Sequence, residues 1–270
     1  MKKRMANLLM AAALLVSSPI AANAALPGDT NGDGTVSITE VQTVINAYLG
    51  LISEPANPLI GSWRGTLLGQ AQSTVVVTFI NDTEFFFAED GDSGLDPTGQ
   101  DGIERGTYSR TTTTFTPLVT VNTNGEWGLS GASGTPLPYS ISNNVLTIGT
   151  GEDSGVFTKI LPSTSNPLIG SWYGTALGQA QSSAVLTFVD DSTFVFAEDG
   201  NSTLDPSGQD GMENGSYTKT STTWTPAVAV DTNGQWGLSD NTEATLPYTI
   251  SNNVLILGTS PDTVSFTRVQ

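Results

Sequence analysis

The chain has 270 residues, of which 37% are hydrophobic and 13% are charged, and this length suggests one or two domains. Its 26 acidic and 9 basic residues give a formal charge of −17, which excludes nucleic acid and anionic lipid as expected partners and favours cations. The absence of cysteine excludes disulfides, and with no histidine either, Ser-His and Cys-His catalytic systems and most zinc sites are excluded.

Residues 1–24 have the pattern of a bacterial secretory signal peptide. A basic start at 2–4 is followed by an apolar run at 8–16 and a small-residue exit at 22–24. The apolar run is too short to cross a bilayer. We therefore expect cleavage after Ala24 and no transmembrane segment in the mature chain. The mature protein is expected to be secreted or periplasmic, and in one interpretation it associates with the cell surface.

Residues 29–40 have the spacing of a twelve-residue calcium loop. Oxygen-bearing residues fill the ligand positions of such a loop, and these are Asp29, Asn31, Asp33, Thr35, Ser37 and Glu40. Ca²⁺ takes six to eight hard oxygen ligands, and the loop requires a glycine at its sharp turn, which Gly34 supplies. The alternative is a turn rich in Asp, Asn and Gly without a ligand.

The segment after the calcium loop has helical spacing. Its apolar residues are Ile38, Val41, Val44, Ile45, Tyr48 and Leu49, which predicts one amphipathic helix. A calcium loop introduced by Gly-Asp and followed only by its exiting helix resembles a dockerin repeat, the module that anchors polysaccharide-degrading enzymes. Dockerins carry two such repeats, whereas this chain has one, ending in Glu40. The apolar helix face needs a partner, either the first β-domain or another protein.

The rest of the chain is one domain duplicated. "NPLIGSWRGTLLGQAQS" at 57–73 returns as "NPLIGSWYGTALGQAQS" at 166–182, and later segments return at the same offset of 109 residues. The two repeats therefore span 57–160 and 166–270, and we expect each to fold independently.

Each repeat contains about eight short β-branched and aromatic runs separated by turn residues, which predicts an up-and-down barrel or a sandwich. The Gly-Ser-Trp that opens each repeat, with Trp63 and Trp172, resembles the start of lipocalin-like (calycin) barrels. The resemblance implies that a cation on the last strand, Lys159 or Arg268, packs across that tryptophan. It also implies a carrier of small apolar ligands as one alternative function.

Each repeat has an acidic loop, which begins at Glu89 in the first repeat and at Glu198 in the second. The predicted further cation sites are Asp90, Asp96, Asp101 and Glu104 in the first repeat and Asp199, Asp205, Asp210 and Glu213 in the second. They form either a second kind of calcium site, a cation-bridged surface or solvated loops. Trp127 and Trp236 lie in polar turns, either as plugs at the barrel ends or as platforms for sugar rings.

The sequence thus predicts a mainly β protein: two tandem small up-and-down antiparallel β-barrels, preceded by a calcium loop and one amphipathic helix. Its segments are the signal peptide 1–24, the half EF-hand, dockerin-like calcium segment 25–56, and the barrels 57–160 and 166–270. The predicted function is non-enzymatic calcium binding, with adhesion or binding to an unidentified protein or polysaccharide. The alternatives are an accessory module of polysaccharide degradation docked through the calcium segment, or the apolar carrier.

Overall fold

The computed structural model describes residues 35–48, 56–65, 74–91, 101–125, 128–151, 154–175, 182–200, 210–234, 237–239 and 242–270. Helix α1 (Ile38–Tyr48) lies in one compact unit, and all the strands lie in a second unit, Asn57–Gln270. The predicted amphipathic helix is therefore confirmed. No helix in the described part of the chain is long and apolar enough to span a bilayer.

The strands form two closed barrels of eight strands each, in which every strand pairs antiparallel with the next and the last returns to the first. In the first barrel they are β1 (Gly61–Gly65), β2 (Thr74–Phe79), β3 (Glu84–Asp90), β4 (Gly102–Arg110), β5 (Thr114–Asn122), β6 (Leu137–Ser142), β7 (Val145–Ile148) and β8 (Gly155–Lys159). In the second they are β9 (Gly170–Gly174), β10 (Ser183–Phe188), β11 (Thr193–Asp199), β12 (Gly211–Lys219), β13 (Thr223–Asp231), β14 (Leu246–Ser251), β15 (Val254–Thr259) and β16 (Asp262–Arg268). The predicted fold of two tandem up-and-down barrels is confirmed.

Short polar turns set the hairpin registers. Between β2 and β3, the Asn81 side-chain oxygen accepts hydrogen bonds from the backbone N–H groups of Thr83 and Glu84, at 2.8 and 2.9 Å. Between β6 and β7, Asn143 and Asn144 both have positive φ, at 50° and 62°. Two successive residues in this conformation match the right-handed strand twist, and asparagine tolerates it better than most residues.

Aromatic side chains fill the interior of each barrel. In the first, Phe79 packs edge-on against Tyr108 and Phe115, with ring centroids 5.0 and 5.9 Å apart. In the second, Phe188 packs in the same way against Tyr217 and Trp224, at 5.0 and 5.2 Å. Eight short strands enclose a space that such side chains can occupy, so each barrel has a packed aromatic core.

The predicted cation–aromatic contacts are confirmed. Lys159 Nζ lies 5.0 Å from the Trp63 ring centroid, and Arg268 Cζ lies 4.0 Å from that of Trp172. Each indole also donates its Nε1–H to a carbonyl four residues earlier, at 2.7 Å for Trp63 and 2.8 Å for Trp172. The tryptophan thus ties the segment before the first strand to the barrel, and the cation joins the last strand to the first.

A third apolar cluster lies between the barrels. It combines outward-facing side chains from both: Val76, Phe86, Ala88, Ile103 and Ile160 from the first, and Val185, Val189, Val195, Ala197 and Met212 from the second. The strand β3 is therefore buried on both faces, which explains why "FFFA" is continuously apolar instead of alternating. An isolated barrel would expose this face, so independent folding of the repeats stays a prediction.

The polar contacts between the barrels have approximate two-fold symmetry. Ser62 Oγ donates a hydrogen bond across the interface to Oγ of its equivalent residue, Ser171, at 2.5 Å. Arg105 forms an ion pair with Asp199, and the equivalent contact joins Asn214 to Asp90 at 2.5 Å. Each contact thus has a counterpart in which the equivalent residues come from the opposite barrels, which is the geometry of a two-fold homodimer.

Candidate functional site

The described part of the predicted calcium segment begins α1 with a reciprocal pair of hydrogen bonds. The Ser37 backbone N–H donates to Glu40 Oε2 at 2.8 Å, and the Glu40 backbone N–H donates to Ser37 Oγ at 3.2 Å. This is a capping box, which satisfies two N–H groups at a helix start. Glu40 is only 5% exposed, so its carboxylate is held close to the chain near the N-terminus of α1. The calcium segment's other described ligand candidate, Thr35, is exposed.

Three of the six predicted calcium ligands lie outside the described residues, and these are Asp29, Asn31 and Asp33. Thr35, Ser37 and Glu40 are described and follow one another into the helix in the order that the loop spacing requires. The calcium loop therefore stays a prediction, and the described residues 35–40 make up its second half.

The structure gives different roles to the acidic residues predicted as further cation sites. Asp101 and Asp210 each accept a hydrogen bond from a backbone N–H at the end of the preceding strand, at 2.8 and 2.9 Å. Asp90 and Asp199 face the opposite barrel. Asp96 and Asp205, as well as Trp127 and Trp236, lie outside the described residues.

Glu104 and Glu213 point into the barrel interiors, where they hold a turn. Glu104 accepts hydrogen bonds from the backbone N–H groups of Leu129 and Ser130, at 2.7 and 3.0 Å. In the second barrel, Glu213 accepts from the equivalent Leu238 and Ser239, at 2.7 and 3.0 Å. Both carboxylates are fully buried. They therefore tie the turn that follows β5 or β13 to the barrel end.

A second buried glutamate lies at the same end of each barrel. Glu89 and Glu198 are the interior residues near the ends of β3 and β11, and both are fully buried. In the first barrel, Asn124 donates from its side-chain nitrogen to Glu89 at 3.0 Å. The equivalent Asn233 faces the Glu198 carboxylate, and hydrogen bonding from its side chain opposes the rise in the pKa of Glu198. Each barrel end thus has two carboxylates and one carboxamide.

Burial is the main influence on these carboxyl groups. It raises the pKa of Glu198 to about 7, and the neighbouring Glu213 carboxylate raises that pKa further because like charges repel. Burial also raises the pKa of Glu213 to about 7, against the opposing effect of its backbone N–H donors. The pKa of Glu104 is likewise raised by burial. A positive charge beside these groups would favour their ionised forms.

The sequence interpretation placed Glu89 and Glu198 in acidic loops and did not single out Asn124 or Asn233. The alternation of side chains along the strand could have predicted the burial of these glutamates, because residues two apart share a face. Glu89 follows the interior residues Phe85 and Phe87 at that spacing. Among the described residues, no group of three or more acidic side chains lies in a metal-binding arrangement. The carboxamides are therefore needed for any donor set at the barrel ends.

Comparisons with known proteins identify no family. No protein-family model matches the sequence, and no curated protein matches it. Among solved structures, the β chain of DNA polymerase III from Streptococcus pneumoniae TIGR4 is 12% identical with a TM-score of 0.14, covering 81% of this chain and 59% of that chain. A Helicobacter pylori β clamp bound to a DNA ligase peptide is 8% identical with a TM-score of 0.14, covering 86% and 64%. The chain spans less than two thirds of these proteins, and TM-scores this low indicate neither a shared fold nor a shared function.

Proposed function

We propose that this is an exported, non-enzymatic calcium-binding protein that acts by binding or adhesion at the cell surface or in the periplasm. The observation that carries the proposal is the Ser37–Glu40 pair at the start of α1. It brings together the residues of loop positions 9 and 12, where a calcium loop has an auxiliary ligand and its bidentate glutamate. The export step depends on the signal-peptide pattern of residues 1–24.

The proposed ion is held by the side chains of Asp29, Asn31, Asp33 and Glu40, by the backbone carbonyl of Thr35, and by Ser37 directly or through water. The three carboxylates exceed the charge of the ion, so binding is electrostatically favourable. The expected cleavage after Ala24 would leave only residues 25–28 before the loop, too few for an entering helix, and this would reduce the rigidity of the loop. We therefore expect a dissociation constant at the weak, extracellular end, on the order of 10⁻⁵ to 10⁻³ M.

A second candidate function is supported by the exposed apolar side of α1. Ile38 is 88% exposed, and Val41 and Val44 are also exposed. Together they form an apolar stripe at helical spacing next to the proposed ion. This favours a protein that docks onto a partner through its calcium segment, as an accessory module of polysaccharide degradation would. The apolar carrier has less support, because aromatic side chains pack through both barrel interiors.

The calcium proposal is tested by calorimetry on the full chain. Glu40→Gln removes one ligand charge, and we expect the affinity of the 29–40 site to fall at least tenfold. Asp82→Asn is the matched control, because Asp82 is an exposed acid in the turn between β2 and β3. It should bind calcium like the wild type. Equal heats and affinities for the wild type and Glu40→Gln would contradict the proposal.

The partner class is tested by pull-down from a mixture of polysaccharides and cell-surface proteins, with calcium and with EDTA. Calcium-dependent capture that is lost in Ile38→Asp supports docking through α1. Calcium-independent capture of polysaccharide by the wild type and Ile38→Asp alike would contradict that docking mode. The aspartate places a charge at the most exposed residue of the apolar stripe, where it should block an apolar contact.

A further inference from the structure

A cavity of about 500 Å³ lies between the two barrels, and residues of both barrels line it. Ser62 and Ser171, whose hydroxyl groups meet across the interface, are among these residues. They are equivalent residues in direct contact, so the cavity lies at the approximate two-fold axis that relates the barrels. Ligand pockets in proteins commonly have volumes of roughly 300 to 1,000 Å³, so this space, here called the axial cavity, is large enough for a small molecule.

The two cations that close the barrels both line the axial cavity. Lys159 and Arg268 are equivalent residues, so the approximate symmetry places them on opposite sides of the axis. Gly61 and Gly170 line the cavity as well. A Cβ atom on Gly61 would lie 3.5 Å from Lys159 Nζ, and one on Gly170 would lie 2.7 Å from Arg268 Nη1. The charged end of each side chain therefore lies directly beside a residue of the cavity wall.

Neither cation has an acidic partner among the described residues, where the cations of the ion pairs are Arg64 and Arg105. Lys159 Nζ donates to one carbonyl and the Arg268 guanidinium donates to two, which leaves N–H groups on both for a further acceptor. Burial lowers the pKa of both groups, because it disfavours their charged forms. An anion between them would offset that cost by supplying the opposite charge.

The charge of the whole chain limits the size of such an anion. Acidic residues outnumber basic ones by 26 to 9, so a long polyanion would be repelled by most of the surface. A small anion can lie within the axial cavity, close to both cations, where their attraction acts over a short distance. The wall also has apolar residues, among them Ile160, Pro162 and Val269, which can contact a short carbon chain.

We propose that the axial cavity binds a small organic anion with two carboxylates, one for each cation. The planar guanidinium of Arg268 can bind a carboxylate with two parallel hydrogen bonds, whereas the ammonium of Lys159 acts as a point charge. Two carboxylates joined by a short carbon chain match two cations separated by an apolar wall. The site uses residues of both barrels, so the ligand would also hold the barrels together.

The test titrates the full chain with succinate, glutarate and adipate by calorimetry. Calcium-free buffer keeps the proposed loop at 29–40 out of the measurement. We expect at least one of the three dicarboxylates to bind at one site per chain, at least tenfold more tightly than acetate. Lys159→Met removes the charge and should weaken this binding at least tenfold, whereas Lys159→Arg should retain it. Lys219→Met is the matched control on β12 and should bind like the wild type.

A second pair of variants leaves both barrel-closing cations in place. Ser163 lines the cavity, and its hydroxyl accepts a hydrogen bond from the Asn166 backbone N–H at 3.3 Å. Aspartate can accept the same bond, so Ser163→Asp adds a negative charge to the wall without removing that contact. It should weaken dicarboxylate binding at least tenfold. Thr164→Asp makes the same change in net charge at the exposed neighbouring residue and should leave binding unchanged.

Each variant is first shown to melt cooperatively, and Ser163→Asp decides the outcome if Lys159→Met does not fold. The proposal is overturned if none of the three dicarboxylates binds, if acetate or phosphate binds as tightly as the best of them, or if Ser163→Asp and Thr164→Asp have the same affinity. A crystal soaked in the dicarboxylate that binds most tightly gives an independent check. Density that joins Lys159 to Arg268 is expected, and a ligand bound elsewhere would refute the site.

Discussion

Removal of the cation that closes the second barrel should have a large and specific cost. The Arg268 guanidinium lies over the Trp172 ring and also donates to the carbonyl oxygens of Ile169 and Pro167, at 2.8 and 2.5 Å. Arg268→Ala removes all three contacts at once. The equivalent Lys159 has one carbonyl partner, Ile60, at 3.0 Å, and lies farther from its ring.

The contacts give an order of magnitude for the loss. A cation–π contact contributes about 0.5 to 2 kcal/mol, depending on its exposure, and a hydrogen bond from a charged group contributes about 1.5 to 3 kcal/mol. Arg268 is half-buried, and water can replace part of what its carbonyl partners lose. We therefore expect Arg268→Ala to lower the free energy of unfolding by about 3 kcal/mol and Lys159→Ala by about 1.5 kcal/mol.

Thermal and urea unfolding of the full chain measure both losses. For a chain of this size, about 3 kcal/mol corresponds to a fall in Tm of roughly 6 to 12 °C. A double-mutant cycle with Trp172→Phe isolates the contact itself, because phenylalanine is the poorer platform for a cation. The Arg268→Ala loss should shrink by about 1 kcal/mol in that background.

Lys219→Ala is the matched control, since it removes a cation from β12 for which the described residues show no ion pair. It should change stability by less than about 0.5 kcal/mol. Losses that add in the double mutant, or an Arg268→Ala loss as small as that of Lys219→Ala, would refute the closure of the barrel by this pair.

Two more predictions concern the interface and the tyrosines. Residues 57–160 expressed alone should form a homodimer, measured by light scattering, because the interface between the barrels is two-fold. Phe86→Asp should make this fragment monomeric. A wild-type fragment that is stable as a monomer would contradict the prediction. Burial raises the pKa of Tyr108 and of Tyr217 to about 12, so the folded state holds these protons longer than the unfolded state, whose tyrosines titrate near 10. Stability should therefore be unaffected by them below pH 10 and fall between about pH 10 and 12. Absorbance titration at 295 nm should show both phenols ionising late or only on unfolding, and ionisation of all tyrosines near pH 10 in the folded state would contradict it.

The sequence was sufficient to predict the barrels and their closure, because those features depend on local patterns. Strand length, turn residues and the repeat offset can all be read along the chain, and each repeat has Gly-Ser-Trp at one end and a cation at the other. The pairing of Trp63 with Lys159 also follows once the first and last strands of a barrel must meet. The helix after the calcium loop is predicted in the same way, from its apolar spacing.

The interior acids and the interface were not predicted, because both depend on which face of a strand meets which neighbour. "FAED" ends a strand with two acidic residues, and acidic residues at a strand end are more often solvated than buried. Only the register of the barrel turns Glu89 inward while Asp90 faces outward, toward the second barrel. Similarly, the run "FFFA" indicates a strand but does not show that Phe86 and Ala88 pack against the other barrel.

The comparison of the two barrels shows which buried polar contacts belong to the shared fold. Glu104 and Glu213 make the same pair of backbone contacts in both barrels, so burial of that carboxylate is explained by the turn it holds. Glu198 is paired differently, because the Asn233 amide faces its carboxylate as the Asn124 amide faces Glu89 in the first barrel. Burial raises the pKa of Glu198 to about 7, so a bound proton reduces the cost of burying this carboxyl group at neutral pH. The recurrence of this carboxylate–carboxamide pair at the same end of both barrels indicates that it belongs to the fold that the two repeats share.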